Sequence, residues 1–213
     1  MKDPKAEFIG FLEKLGLERP EEVLARFEHF HALLLEKNLG VNLISRATAS
    51  EDVWTKHFLD SLLPLKCLDL QGKKLLDFGS GGGLPGIPIK LAVPGCRMTL
   101  LDSVRKKTVA MREFVDQLGL KDCNVECVRL EDFHPQGEGF DYILCRAVRL
   151  EQRYLKPLRQ ILAKGGGIIF YKAQDVSDIA GLAPKLLVRE EFSFGERSLY
   201  LLNGEQLKPD RIV

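Results

Sequence analysis

Lys74-Leu-Leu-Asp-Phe-Gly-Ser-Gly-Gly-Gly-Leu-Pro-Gly86 is the stretch that decides how this chain folds, and Leu100-Leu-Asp-Ser103 follows it. The short apolar run of Leu75, Leu76 and Phe78 gives way to glycines, the pattern of a buried strand that ends in a ligand-binding loop. Glycines at 79, 81 and 83 allow tight backbone turns and a closer approach to a ligand than any side chain permits. A second apolar strand, Met98-Thr-Leu-Leu101, ends at Asp102, 23 residues beyond Gly79. A carboxylate there can accept hydrogen bonds from both hydroxyls of a ribose. The dinucleotide fingerprint G-x-G-x-x-G needs glycine at position 84, and Leu84 stands there instead. The loop reads G-x-G-x-G behind Asp77, the form that goes with S-adenosylmethionine (SAM), a nucleoside cofactor without a pyrophosphate.

Around this loop, 213 residues suit one domain of moderate size, or a domain with a small appendage. A hydrophobic content of 45% is ample for a packed core, and 29% charged residues is ordinary for a globular chain. The first apolar run is interrupted by Glu13 and Lys14, so no signal peptide is expected. No stretch approaches the ~20 apolar residues of a membrane span. Five cysteines at 67, 96, 123, 127 and 145 form neither an even disulfide framework nor a zinc-ligand pattern. Free thiols in a reducing cytoplasm are the expectation, with no metal.

The net charge of +1 is uninformative, but its distribution is not. Residues 1–72 carry a net −3, whereas residues 146–164 hold Arg146, Arg149, Arg153, Lys156, Arg159 and Lys164 against Glu151 alone. Arg105, Lys106, Lys107 and Arg112 form a second cluster directly after Asp102. Such clusters can bind phosphates on a neutral protein, or can be solvated helix faces.

The N-terminal third reads as helices. Phe8, Leu12 and Leu15 recur at helical spacing, and Pro20-Glu-Glu22 opens a longer helix ending near Asn38 to Gly40. A third helix is expected from about Ser50 to Leu65. From Leu75 onward, strands at 74–78, 97–101, 124–128, 140–145 and 166–171 alternate with helices at 85–93, 104–118, 150–163 and 176–186. That alternation implies a parallel sheet with right-handed crossovers. Residues 188–203 read as an antiparallel hairpin around Gly195-Glu196. The expected architecture is therefore α/β and Rossmann-like, with a helical extension over 1–70 packed on a SAM-binding domain over 71–213. Ligands in such sheets sit beyond the carboxyl ends of the strands. Falling there are Gly79 to Gly83, Asp102 and Ser103, Leu130-Glu-Asp132, Arg146 and Lys172. Glu131 and Asp132 can receive an adenine amino group or be a helix N-terminal acid pair; Lys172 can face a ligand or solvent.

Together the residues resemble the RsmG (GidB) family, bacterial methyltransferases that make 7-methylguanosine in small-subunit (16S) ribosomal RNA. The resemblance rests on Asn42-Leu-Ile-Ser45, His57-Phe-Leu-Asp-Ser61, Asp77-Phe-Gly-Ser-Gly-Gly-Gly-Leu-Pro-Gly-Ile-Pro88, Leu101-Asp-Ser103, Phe140-Asp-Tyr-Ile-Leu-Cys-Arg-Ala147 and Tyr171-Lys172. These span almost the whole chain in order. Gly82 departs from the Pro or Ala common in relatives, and the tail Asn203 to Val213 matches no pattern. The resemblance implies SAM contacts at Gly79, Leu84, Leu130, Glu131 and Arg146, beside the loop glycines Gly81 and Gly83 and the ribose acceptor Asp102. It implies small-subunit rRNA or its ribonucleoprotein particle as partner, with a monomer expected. Arg105, Lys106, Lys107, Arg149, Arg153 and Lys172 are the candidates for the RNA, with Arg146 between cofactor and base. His57 and Asp60, three apart on the expected third helix, can lie over the pocket mouth or form a buried structural pair. A small-molecule methyltransferase of the same fold, and a SAM-binding regulator without catalysis, are the competing expectations.

Overall fold

The computed structural model describes residues 3–17 and 19–207. Seven strands form one sheet: β1 Lys74–Phe78, β2 Arg97–Leu101, β3 Cys123–Glu126, β4 Phe140–Arg146, β5 Leu162–Lys172, β6 Lys185–Phe192 and β7 Gly195–Asn203. Their order is β3-β2-β1-β4-β5-β7-β6, and the first five run parallel. Strand β7 runs antiparallel to both β5 and β6, so the C-terminal hairpin extends the sheet. The order reverses between β1 and β4, which opens a crevice at their carboxyl ends. The fold is thus the expected α/β, Rossmann-like one, and the first two strands begin and end at the residues expected.

Helices α1 (Pro4–Lys14), α2 (Pro20–Asn38), α3 (Gly86–Ala92), α4 (Arg105–Gln117) and α5 (Gln152–Ile161) complete the frame. The Asp3 carboxylate accepts from the Lys5 amide at the start of α1, and α2 opens on Pro20 with Glu21 and Glu22 at its positive end. The apolar face of α2 buries Val23, Phe27, Phe30 and Leu34. Phe27 and Phe30 meet Phe8, Trp54 and Phe58 in an aromatic cluster, and Phe30 stands edge-on to Phe114 of α4 at 5.5 Å. The N-terminal helices therefore share one core with one face of the sheet. A second core, with Leu76, Ile143, Ile168 and Phe170, lies on the other face under Leu155 and Leu158 of α5.

Four expected elements differ. The single helix over 50–65 is a turn, then a π-helix at Trp54–Leu59, then a 3-10 turn at Leu63–Lys66. The wider π-turn keeps Trp54, Phe58 and Leu59 buried while presenting the carbonyls of Lys56 and His57 to Arg146. The helix expected over 176–186 is only a 3-10 turn at Ala180–Leu182. Asp178 is drawn aside by Lys172 and the Leu150 amide, and Ala183, before Pro184, takes a left-handed φ of 52°. The hairpin consequently begins at Lys185 rather than 188, and β5 begins at Leu162, four residues early. Of the unmatched tail, residues 208–213 lie outside the described residues.

Candidate active site

A cavity of about 350 Å³ opens at the carboxyl ends of β1, β2 and β3. Phe78, Leu101, Val128, Leu130, Val148 and Tyr154 give it apolar walls, and Gly79, Asp102, Ser103, Arg129, Glu131 and Arg153 supply its polar rim. Asp102 is 8% exposed; its Oδ2 accepts from the Gly81 amide at 3.0 Å and its Oδ1 from the Val104 amide at 2.8 Å. This carboxylate ties the glycine loop to the end of β2 and keeps lone pairs for a ligand. Gly79 lies at φ 76°, and a Cβ there would stand 2.5 Å from Val148 Cγ2, so the close approach excludes any side chain. Asp77 is fully buried beneath the loop, where its Oδ2 accepts from the Gly86 amide at 2.8 Å. Burial pushes its carboxyl up to about 7, against the opposing effects of the Gly86 and Ser80 hydrogen bonds and Arg146.

A second cavity, of about 310 Å³, lies across residues 146–148, lined by Thr48, Lys56, His57, Asp60, Arg146, Ala147, Tyr171, Lys172, Ala173 and Arg197. Ala147 takes a left-handed φ of 57°, a turn that sends Arg146 to this cavity and Val148 to the first. Four Arg146 N–H groups are hydrogen-bonded and its Nε is ion-paired. Nη1 donates to His57 O (3.0 Å) and Ser61 Oγ (2.9 Å), and Nη2 to Lys56 O (3.1 Å) and His57 Nδ1 (2.6 Å). Nε faces Asp60 Oδ2 at 3.2 Å. Burial first, then Arg146 and Lys56, push the His57 imidazole down to about 3, so the ring is neutral. Burial raises the Asp60 carboxyl, opposed by Arg146 and by Arg197, whose Nε is 3.4 Å from Oδ1. Larger hollows of about 610 and 710 Å³ lie by Pro94-Gly95 and at the start of β5, away from the strand carboxyl ends.

Comparison with known proteins gives this geometry a lineage. The family profile described as rRNA small subunit methyltransferase G matches residues 23–192. A ribosomal RNA small subunit methyltransferase G from Carboxydothermus hydrogenoformans is 32% identical, with 97% of this chain and 94% of that one covered. One from Oenococcus oeni is 36% identical over 88% and 82% of the two chains. This chain belongs to the rRNA small subunit methyltransferase G family. Among solved structures, a SAM-dependent methyltransferase from Aquifex aeolicus (TM-score 0.56, 13% identity, 70% of this chain and 92% of that one) shares the fold. So does a ribosomal protein L11 methylase from Lactobacillus delbrueckii (TM-score 0.53, 16% identity, 68% and 76%). The fold is that of class I SAM-dependent methyltransferases, the family acts on small-subunit rRNA, and SAM is the cofactor. The residues fit it: the first cavity pairs apolar walls for an adenine with a carboxylate whose free lone pairs suit ribose hydroxyls.

Within this rRNA small subunit methyltransferase G fold, the expected site residues separate. Gly79, Asp102, Ser103, Leu130 and Glu131 line the first cavity. Gly81, Gly83 and Leu84 do not: Gly81 braces Asp102 through its amide, a Cβ on Gly83 would collide with Ile87, and Leu84 is buried in the N-terminal core. Arg146, expected against the cofactor, is held in the wall of the second cavity by the Lys56 and His57 carbonyls, the His57 ring, Ser61 Oγ and the Asp60 carboxylate. Arg153, expected on the RNA side, stands on the rim of the first cavity, with Glu151 at 3.0 Å and Glu131 at 3.7 Å. Lys172, also expected for RNA, is nearly buried against both Asp178 oxygens at 2.7 Å. Arg105, Lys106 and Arg149 are exposed, and Lys107 is half-buried. Sequence reasoning missed Val128, Val148 and Tyr154 in one cavity and Thr48, Lys56, Tyr171 and Arg197 in the other. Of these, Arg197 beside the hairpin turn was signalled only by being a cation at a strand end. Among the described residues no group of side chains is arranged to hold a metal.

Proposed function

We propose that the chain methylates N7 of a guanosine in small-subunit rRNA, as a monomeric cytoplasmic enzyme whose helical residues 1–70 pack on a SAM-binding unit over 71–213. Family membership combined with the first cavity at the sheet's switch point supports this reading, and Asp102 is the observation that carries it. A buried carboxylate fixed by two loop amides would hold the ribose hydroxyls, and Leu130, Glu131 and Gly79, which line the same cavity, would enclose the rest of the nucleoside. No helix among the described residues is long and apolar enough to cross a membrane.

SAM supplies a methyl group on a sulfonium when bound. Guanine N7 carries a lone pair and no proton, so the chain needs no general base, and its task is alignment. The neutral His57, its Nδ1 occupied by Arg146, is unsuited to take a proton and consistent with such chemistry. Val148 lines the first cavity and Arg146 and Ala147 the second, so residues 146–148 stand between the cofactor side and the acceptor side. Arg105, Lys106, Lys107 and Arg149 are placed to hold the RNA backbone, an ordering role that carries no base information. Arg153 instead closes the cofactor rim, and Lys172 holds Asp178 and the 147–150 loop.

Incubating the protein with methyl-labelled SAM and small-subunit rRNA, then mapping the labelled base, tests the proposal. Label on N7 of one guanosine is the expected result. Label on another base or on an exocyclic nitrogen overturns the position, and no label on RNA overturns the activity.

A further inference from the structure

Two residues of the second cavity's wall each carry a buried polar atom with no hydrogen-bond partner among the described residues: His57 Nε2 and Asp60 Oδ1. They belong to residues three apart on one helical segment, and their hydrogen-bonding characters are fixed. Arg146 cannot give up a proton, so its 2.6 Å contact makes His57 Nδ1 an acceptor and places the imidazole proton on Nε2. Nε2 is therefore a donor. Asp60 Oδ1 is an acceptor, since both carboxylate oxygens face guanidinium donors that cannot take up a proton, Oδ2 toward Arg146 Nε and Oδ1 toward Arg197 Nε. We propose that this cavity receives the acceptor nucleobase and reads it as guanine, His57 Nε2–H donating to O6 and Asp60 Oδ1 accepting from N1–H and the 2-amino group. This deepens the function proposed above and rests on it.

Guanine is the base whose edge places an acceptor at position 6 beside donors at 1 and 2. Adenine presents the reverse, an amino donor at 6 and an acceptor at 1, and would face donor with donor and acceptor with acceptor. Unpaired buried groups make such a mismatch costly, which is how a polar site rejects the wrong partner. Both atoms are out of contact with water. The Arg197 guanidinium, 3.4 Å from Oδ1 and over the Phe194 ring at 4.8 Å, covers that oxygen and has to swing aside for a base to reach it; it is partly exposed, whereas Asp60 is 4% exposed.

The same carboxylate acts on the reaction. As methyl passes from sulfur to N7, the carbon–sulfur bond breaks with its electron pair left on sulfur, and the N7 lone pair forms the new bond. No proton moves, and the positive charge passes to the purine, whose N1–H becomes more acidic. A carboxylate at N1–H stabilises that charge where it develops. Arg146 is the positioning residue behind both groups, since it fixes the His57 tautomer and the Asp60 rotamer at once.

The test uses full-length rRNA carrying inosine, which lacks only the 2-amino group, at the guanosine labelled in the experiment above. Wild-type protein is expected to methylate guanosine roughly tenfold or more faster than inosine at limiting RNA. Asp60→Asn is expected to slow guanosine and bring that ratio close to one, with SAM binding by calorimetry unchanged. A variant that merely disturbs the fold slows both substrates alike, so an unchanged ratio overturns the inference. Should Asp60→Asn fail to fold, His57→Leu with 2-aminopurine at the same position, which lacks O6 and N1–H, carries the test. The preference for guanosine must then shrink at least tenfold, and a preserved preference overturns the inference. Absence of label on guanosine in the first experiment removes the proposed function and this inference together; label with unchanged ratios removes this inference alone.

Discussion

The two cavities on either side of residues 146–148 are built on opposite principles. The first is walled by apolar side chains on strand ends, with one carboxylate fixed by backbone amides of its own loop and its neighbour. The second is walled by charged side chains drawn from four separate parts of the chain, Asp60 just after the π-helix, Arg146 of β4, Lys172 of β5 and Arg197 of β7, with Asp60 paired to both arginines. A cofactor that is always the same can be bound by a loop that folds locally. A cavity that must exclude close relatives of its ligand needs donors and acceptors held rigidly from several directions, because discrimination lies in what is left unpaired.

Removing Arg146 is the strongest way to break that contrast. Arg146→Ala strips the partner from a buried Asp60 and from two carbonyls, and should cost about 3–5 kcal/mol of stability, read as a fall in the urea midpoint. A loss below 1 kcal/mol would show the second cavity to be less tightly wired than its geometry indicates. Asp102→Ala should leave the second cavity intact and weaken SAM and its demethylated product alike, by about 1.5–3 kcal/mol in calorimetry. The methyl-transfer step at saturating SAM should change less, because the contact is equal in ground and transition states.

Titration separates the two regions by sign. His57 is held neutral, its folded value near 3 lying below an unfolded value of 6.5, so the unfolded chain takes up the extra proton. The stability this represents is present above pH 6.5 and is lost as pH falls toward 3. Asp77 runs the other way. Its folded value near 7 exceeds its unfolded 3.8, so the native state holds the extra proton, and stability is lost as pH rises from about 4 to 7. Each group can contribute a slope of at most about 1.4 kcal/mol per pH unit. Denaturant midpoints between pH 4.5 and 6.5 should therefore rise less steeply with pH in His57→Gln than in wild type, and more steeply in Asp77→Asn. Equal slopes in all three proteins would contradict both assignments. The smallest effect is expected outside the cavities: Arg105→Ala with Lys106→Ala should lower the salt slope of RNA binding by roughly one to two units and leave SAM affinity unchanged.

How much of this could be read from residues follows the same division. The loop, β1, β2 and Asp102 were legible because each depends on neighbours within a few positions: apolar runs, glycines, and an acid at a strand end. The second cavity was not. Arg146 meets His57 across 89 positions of sequence, and nothing near Arg146 announces that its donors are already taken. Lys172 looked like a free cation because Asp178 was assigned to a helix, whereas the turn before Pro184 releases Asp178 to pair with it. Charge counting cannot separate a cation offered to RNA from one neutralised in the interior; only the fold does.

The π-turn at Trp54–Leu59 makes the second cavity sensitive to length rather than to composition. It accommodates one residue more than an α-turn would, and each residue turns an α-helix by about 100°. Deleting a single position between 53 and 56, even with every named side chain retained, would rotate His57 and Asp60 together relative to the turn that precedes them. Either the aromatic cluster or the pairing with Arg146 would then lose its register. Sequences of this fold can therefore exchange residues along the segment far more freely than they can gain or lose one.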